Sequence, residues 1–436
     1  MLARGVPARA VLARPPRSSR PHIIPFAYTR QDCGASLPNS VPIEIAKAEP
    51  RPAASAEWAA LLECSSPHAD STRLRELLRA VSWSALFTLA EVHGVMALLD
   101  AALRRVNDNV APPDIAQKIR EYHRAQVLSA MKMTAELFRL VDLFRAARLK
   151  TGLETVLVKG PTLAMRAYGD TGSRVFGDLD FLLRQRDILR ATELMISAGY
   201  DFEVSPGEIR AAKIPGQYSF VRKGAPLLVE LHTERTMRYF PRGLPVEEFF
   251  AARQYELLDG HEIPVLSVEH ELVLVCIHGA KHLWERLTLV ADVAALAARQ
   301  TTLNWQESLA AAEDAGAGRM LRTGLILAED LLRAPLPQDI QSGIRADAAA
   351  ARLAREIAEW LPSAGDSLPG LLRRALFRMR IRGAGTSGLG YLLKLTFSPT
   401  QEDWHSADGQ DSTAPWSTLR RPFRLAKKYR RPENER

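Results

Sequence analysis

The sequence predicts an α+β protein in which a short α/β segment lies between two helical regions. Residues 56–150 place apolar side chains every three to four positions, as helices do. From residue 152 the pattern changes to short β-rich runs, and residues 245–380 return to helical spacing. The predicted segments are a disordered basic extension (1–55), an N-terminal helical region (56–150), an α/β core (151–245), a C-terminal helical domain (246–385) and a basic tail (386–436).

In the N-terminal helical region, a break at Asn107–Pro113 separates shorter helices from a long helix over Asp114–Leu149. One apolar stripe of this helix is predicted to face the core. It consists of Leu128, Met131, Ala135, Phe138 and Val141.

The α/β core is predicted from short runs of β-forming residues and from glycines that end helices. The predicted strands are Glu154–Val158, Asp178–Leu183, Gln217–Val221 and Leu227–His232, and the predicted helices are Gly160–Tyr168 and Asp187–Ala198. Beyond the core, the clearest predicted helix covers Val268–Ala298.

Composition excludes several protein classes. Of the 436 residues, 47% are hydrophobic and 25% charged, which is typical of a globular protein rather than a disordered or collagen-like one. The longest wholly apolar run is Leu272–Ile277, far too short to span a bilayer, so no transmembrane segment is expected. Three widely separated cysteines exclude a zinc ribbon or a disulfide framework and predict a cytoplasmic location.

The net charge of +8 belongs to the ends of the chain. Residues 1–31 contribute +6 and residues 420–436 another +6, which leaves −4 for the rest. The Arg-rich start is typical of an organellar transit peptide, or else of a disordered tail or an overextended reading frame. In the tail, Trp416, Phe423 and Tyr429 lie among basic residues, so the tails either contact anionic surfaces or form a solvated charge run.

The chemistry is predicted around two acids one residue apart. Asp178 and Asp180 alternate on a predicted strand, so both carboxylates face the same side. Because they repel each other, a divalent cation such as Mg²⁺ would relieve the conflict. Glu230, on another predicted strand, completes a trio that would cost folding energy without metal. The turn at Lys159-Gly160 offers backbone N–H groups and a cation to a phosphate.

The chain resembles the uncharacterised bacterial nucleotidyltransferases of the DNA-polymerase-β-like superfamily over roughly residues 60–430. The matching features are Lys159-Gly160, Arg174, the block Gly177–Asp180, Glu230–His232, the block His278–Leu296 and the basic end Leu419–Tyr429.

The resemblance implies a small mixed-sheet nucleotidyltransferase core with helical flanks. Asp178, Asp180 and Glu230 would hold Mg²⁺ or Mn²⁺, and Glu230 could also act as base toward an acceptor hydroxyl. The substrate would be an NTP, and the acceptor an unknown small molecule, peptide or protein. The implied nucleotide-binding residues are Lys159, Gly160, Thr162, Arg174, Lys281 and His282.

One departure favours an alternative function. Members of the superfamily usually begin the phosphate-binding helix with Gly-Ser, whereas this chain has Gly160-Pro161-Thr162. A catalytically weak NTP-binding regulatory module of the same fold is therefore the second hypothesis. A third is a peripheral adaptor that binds anions through its tails.

Several residues also have structural interpretations. Lys159 and Glu230 could be solvated strand residues, His232 a packing residue, and Arg174 a partner of Asp170 or Asp178. On the predicted helix, His278, His282 and Arg286 share one face, which either reaches phosphates or packs with Asp292 paired to Arg286 or Arg299. Zinc at the histidine pair is disfavoured because Gly279 stands where a metalloprotease has its general-base Glu.

Overall fold

The computed structural model describes residues 55–106, 110–211, 216–225, 227–234, 244–363 and 371–382. The predicted α+β class is confirmed, because a mixed sheet lies between helices that precede and follow it in the chain. The predicted extension before residue 55 and the predicted tail over 386–436 lie outside the described residues. None of the helices in the described ranges is long and apolar enough to cross a membrane.

The strands of the described chain are β1 (Val156–Leu157), β2 (Asp178–Leu182), β3 (Tyr200–Phe202), β4 (Gln217–Arg222), β5 (Leu228–His232), β6 (Gln254–Leu258) and β7 (His261–Val265). The helices are α1 (Ala56–Ser65), α2 (Ser71–Arg79), α3 (Trp83–His93), α4 (Met96–Val106), α5 (Pro113–Thr151), α6 (Pro161–Tyr168), α7 (Ile188–Ser197), α8 (Pro206–Arg210), α9 (Val246–Ala251), α10 (Val268–Lys281), α11 (Leu287–Arg299), α12 (Trp305–Asp314), α13 (Gly318–Leu332), α14 (Gln338–Arg345), α15 (Ala348–Trp360) and α16 (Leu371–Arg380).

The sheet has the order β3-β4-β5-β2-β1-β7-β6. Strand β2 is parallel to β5, and β1 is parallel to β7, while the other neighbours are antiparallel. The four strands predicted in the core are present, although the first is only two residues long. The middle strand of the sheet is therefore β2, which pairs with β5 on one side and β1 on the other.

Two buried clusters hold the described elements together. One lies between the sheet and helices α5 and α7, and it includes Leu179 and Phe181 of β2 and Val229 and Leu231 of β5. The other joins the N-terminal helices to α10–α15, so the two predicted helical regions share a core. Because side chains alternate along a strand, burial of these apolar residues turns the acidic residues of β2 and β5 to the opposite face.

The predicted core stripe of the long helix is wrong for most of its members. Leu128 and Met131 are 59% and 60% exposed, Ala135 is exposed and Phe138 half-buried, whereas Val141 is buried as predicted. The residues of α5 that meet the sheet are Ala130, Met133, Leu137, Leu140, Val141 and Phe144. This helix carries apolar residues on more than one side, so periodicity alone does not identify the face that packs.

The helix predicted over Val268–Ala298 is in fact two helices. Helix α10 ends at Lys281 and α11 begins at Leu287. Between them, Leu283 and Trp284 adopt φ values of 57° and 52°, in the left-handed region. Such φ values are uncommon for bulky residues. Two apolar residues in this position therefore do not indicate the end of a helix, and the apolar pattern did not predict the break.

The hairpin β6–β7 was not predicted, since its residues fall in the region expected to be helical. It extends the sheet through pairing of β7 with β1. Its turn is Asp259-Gly260, with φ values of 48° and 82°. Asp-Gly between strands is a strong hairpin signal, so the sequence did carry the information. The predicted domain boundaries themselves stay a prediction.

Candidate functional site

The parallel pair β2–β5 brings the acidic residues side by side. In its register, Asp180 lies opposite Glu230, and Leu182 lies opposite His232. Asp178 is two residues from Asp180 and shares its face of the strand. The three acids that the sequence singled out thus lie on one face of adjacent strands.

His232 joins this cluster. Its Nε2 atom lies 2.7 Å from Oδ1 of Asp180 and 3.3 Å from Oε2 of Glu230. One ligand atom from each of Asp180, Glu230 and His232 lies within 4.8 Å of the others. His232 was absent from the predicted site, although its position two residues after Glu230 places it on the same face by the alternation used for Asp178 and Asp180.

Lys159 neutralises part of this acidic face. Its Nζ atom lies 2.6 Å from Oδ2 of Asp180 and 3.4 Å from Oδ2 of Asp178. Asp180 is only 1% exposed, whereas the Asp178 side chain is 26% exposed. The expectation of an uncompensated trio of acids is therefore wrong, because Lys159 and His232 already contact them.

Glu230 is held as a carboxylate. Nε2 of Gln217, on β4, donates a hydrogen bond of 2.8 Å to its Oε2 atom. Burial raises its pKa, but the hydrogen bond from His232 and the charges of His232, Lys281 and Lys159 outweigh burial, so the net pKa is lowered. A low pKa suits a metal ligand better than a general base that must accept a proton near neutral pH.

The turn before α6 approaches the same face. Gly160 has φ +94°, a conformation that a residue with a side chain rarely adopts. Pro161 occupies the first helical position, where its missing N–H costs little. Thr162 is 1% exposed, and its hydroxyl has no hydrogen-bond partner in the described structure. A buried hydroxyl that makes no hydrogen bond costs free energy, so a hydrogen-bond partner outside the described structure is expected.

Arg174 is buried and pairs with neither predicted acid. Its Nε atom donates to Oδ2 of Asp292, on α11, at 2.8 Å. The hydroxyl of Tyr168 donates to the other carboxylate oxygen of Asp292 at 2.9 Å. The predicted pairings of Arg174 with Asp170 or Asp178, and of Asp292 with Arg286 or Arg299, are thus replaced by an Arg174–Asp292–Tyr168 group.

The end of α10 contributes histidines and a lysine. His278 and His282 lie together as their spacing predicts, whereas Arg286 precedes the next helix, so its predicted place on the same helix face is wrong. The imidazole rings of His278 and His282 lie 4.5 Å apart. Lys281 is exposed, and its Nζ atom donates to Oε1 of Gln217 at 3.4 Å.

Both histidines are neutral near pH 7. Burial and the neighbouring cations Lys281, Lys159, Arg286 and Arg378 lower the pKa of His282 to about 3. Burial also lowers the pKa of His278 well below its usual value. In the described ranges, the acidic cluster is the only group of three or more candidate metal ligands, so nothing there completes a zinc site at the histidine pair.

The acidic cluster has the donors that a divalent metal needs. Carboxylate oxygens suit Mg²⁺ and Mn²⁺, and an added imidazole is acceptable to transition metals. Oδ2 of Asp180 is buried and accepts no hydrogen bond; its neighbour is the ammonium group of Lys159. The cluster is therefore already arranged around a cation, and its residues fit a metal.

Comparison with known proteins assigns the family. Residues 79–333 match the model of a family described as "Uncharacterised nucleotidyltransferase". The chain belongs to this family. The match covers more than half of the sequence and contains the whole sheet together with the acidic cluster.

Two further comparisons were made, with solved structures and with curated protein sequences. The family member described here is similar to a solved "antigenic nucleotidyltransferase-like protein from Paracoccidioides brasiliensis", with 13% identity and a TM-score of 0.32. The similarity covers 49% of this chain and 93% of the other. No curated protein sequence matches the chain.

Proposed function

We propose that this chain transfers a nucleotidyl group from an NTP to an acceptor hydroxyl in a reaction that needs a divalent metal, Mg²⁺ or alternatively Mn²⁺. The observation that carries the proposal is the convergence of Asp180, Glu230 and His232 within 4.8 Å, in a chain of the nucleotidyltransferase family. A small molecule, a peptide or a protein could provide the hydroxyl.

In this proposal Asp178, Asp180 and Glu230 hold the metal, and His232 supports them. When bound, the metal supplies positive charge to the triphosphate and lowers the pKa of the attacking hydroxyl. Asp180 is fixed by its burial, while the partly exposed Asp178 has room to contact substrate. The low pKa of Glu230 supports its role as a ligand and argues against a role as base.

The phosphates are proposed to lie at the start of α6. There Gly160 lets the backbone turn, the Thr162 hydroxyl lacks a partner, and Lys159 provides an ammonium group. Lys281 and His282, at the end of α10, add a cation and a neutral donor near the same acids. Arg174 adds charge from a position fixed by Asp292.

The test is incubation with each labelled NTP and Mg²⁺ or Mn²⁺, scoring pyrophosphate release and any labelled product, including labelled protein. Asp178→Asn and Asp180→Asn should each reduce transfer on the order of 10²-fold or more, as loss of a main charge-stabilising element does. Asp201→Asn, at an exposed acid on β3, is the matched control and should keep full activity. Full turnover in both site variants would place the reaction elsewhere.

The second candidate is an NTP-binding module with little catalysis. It is favoured by the contacts that Lys159 and His232 already make with Asp180, and by Gly160-Pro161-Thr162 in place of the usual Gly-Ser start of the helix. Binding of NTP with the wild-type chain, without release of pyrophosphate under any metal, would select this candidate.

A further inference from the structure

Lys159 occupies a special position among the cations of the site. Its ammonium nitrogen lies 2.6 Å from Oδ2 of Asp180 and 3.4 Å from both carboxylate oxygens of Asp178. It therefore contacts two of the three acids proposed to hold the metal. By contrast, Lys281 contacts Gln217, and the Nε atom of Arg174 is bound to Asp292.

A metal on Asp180 would compete with this ammonium group. Divalent cations bind carboxylate oxygens at about 2.0–2.6 Å, which is the distance at which the Lys159 nitrogen already lies from the same oxygen. Asp180 is 1% exposed, so little water is present to screen two cations side by side. The ammonium group must consequently move when the metal enters.

The long side chain of Lys159 can move, and a new anionic partner is close. Lysine has a flexible four-carbon stem, and this one is 16% exposed. Lys159 directly precedes Gly160 and the first turn of α6, where the triphosphate is proposed to lie. A bound nucleotide would thus offer the displaced ammonium group phosphate oxygens in exchange for the carboxylates.

We propose that Lys159 is a built-in cation that competes with the metal for Asp180 and moves to the phosphates of the nucleotide, so that metal and nucleotide bind cooperatively. The inference rests on the proposed function, and it adds the order and strength of binding at that site. Metal alone binds weakly, because the ammonium group loses its partners without replacement. Since coupling is reciprocal, nucleotide alone also binds weakly.

The test measures Mn²⁺ binding to the full chain without nucleotide, from the electron paramagnetic resonance signal of free Mn²⁺. Lys159→Met should bind Mn²⁺ at least about tenfold more tightly than wild type, or about 1.4 kcal/mol. Lys223→Met removes the same charge from an exposed lysine that pairs with Asp201 on β3, and should change affinity less than about threefold, as expected for a charge screened by solvent. Lys159→Arg keeps a cation and should resemble wild type.

A second titration, with a non-hydrolysable NTP analogue present, tests the coupling. The analogue should tighten Mn²⁺ binding strongly in wild type and much less in Lys159→Met. Methionine at residue 159 leaves the Asp180 carboxylate without a partner, which could make the protein unstable. In that case Lys159→Gln replaces it, because a glutamine amide has no charge but can donate a hydrogen bond to Asp180.

Equal Mn²⁺ affinity in Lys159→Met and Lys223→Met, or equal coupling in Lys159→Met and wild type, overturns the inference. If wild type binds Mn²⁺ and Asp180→Asn does not, the metal site stands even when the inference fails. Absence of Mn²⁺ binding from every variant, Lys159→Met included, refutes the metal site and the inference together.

Discussion

The turn between α10 and α11 depends on the absence of a side chain at residue 279. The indole of Trp284 is fully buried and folds back on α10, and the Trp284 amide donates to the carbonyl of Gly279 at 2.8 Å. A Cβ atom at Gly279 would lie 2.5–2.7 Å from three carbons of that ring. A Cβ atom at Gly324, on α13, would lie 2.8 Å and 3.0 Å from two carbons of the same ring. Gly279→Ala should therefore destabilise the protein.

The magnitude follows from two opposing effects. Carbon atoms in contact prefer separations of about 3.5–4.0 Å, so the ring must shift by about 1 Å within a close-packed interior. Overpacking of this kind costs about 1–3 kcal/mol, and the short distances favour the upper end. Alanine regains up to about 1 kcal/mol of helix propensity relative to glycine. The expected net loss is about 2 kcal/mol in the free energy of unfolding.

Gly343→Ala is the matched control, because Gly343 lies inside α14 with no atom within 4 Å of its added Cβ. This substitution should stabilise the protein by up to about 1 kcal/mol. Urea unfolding of both variants and wild type, followed by circular dichroism, compares the midpoints. Gly279→Ala with a midpoint at or above wild type, while Gly343→Ala rises as expected, would refute the proposed packing of Trp284.

Two further predictions concern α5. Glu136 is buried; burial raises its pKa, but hydrogen bonds from Arg139 and Tyr200 outweigh burial and lower it. The contribution of Glu136 to stability is therefore present above the unfolded pKa of 4.5 and lost as pH falls through the lower folded value. In a plot of melting temperature against pH, Glu136→Gln should consequently show a shallower fall on the acid side than wild type. An unchanged acid slope would contradict this. Met133→Ala should cost about 2–5 kcal/mol in urea unfolding and Met131→Ala less than about 0.5, because only Met133 is buried; equal losses would contradict the helix orientation.

Alternation along each strand predicts which of its residues share a face, whereas the contact between the two strands comes from the β2–β5 pairing. Asp178 and Asp180 share a face by alternation, and so do Glu230 and His232. The contact of Lys159 with Asp180 needs more information, since it depends on β1 pairing beside β2. In that pairing the Val158 amide donates to the carbonyl of Asp180, and the next residue, Lys159, lies beside the acids. Because Lys159 and Asp180 are about twenty residues apart in the sequence, no local pattern shows that they are in contact.

Other features depend on tertiary packing that no local pattern shows. The left-handed Leu283 and Trp284 are neither glycine nor asparagine, so no turn signal marks them. Burial of the Trp284 ring close to Gly279 and Gly324 stabilises this backbone. Likewise, Asp292 pairs with Arg174 rather than with the basic residues nearer in sequence, because α11 packs against α6, whose Tyr168 also contacts Asp292.

The two parts of the candidate site are therefore held by different contacts. The acids lie on strands that are fixed by the β2–β5 pairing, whereas Lys281 and His282 lie at the end of α10, directly before the chain reversal at Trp284. A change in the reversal should alter the second part and spare the first. In folded Gly279→Ala, Mn²⁺ alone should bind as in wild type, because the acids and Lys159 keep their contacts, while nucleotide binding weakens. Equal loss of both would mean that the end of α10 also positions the acids.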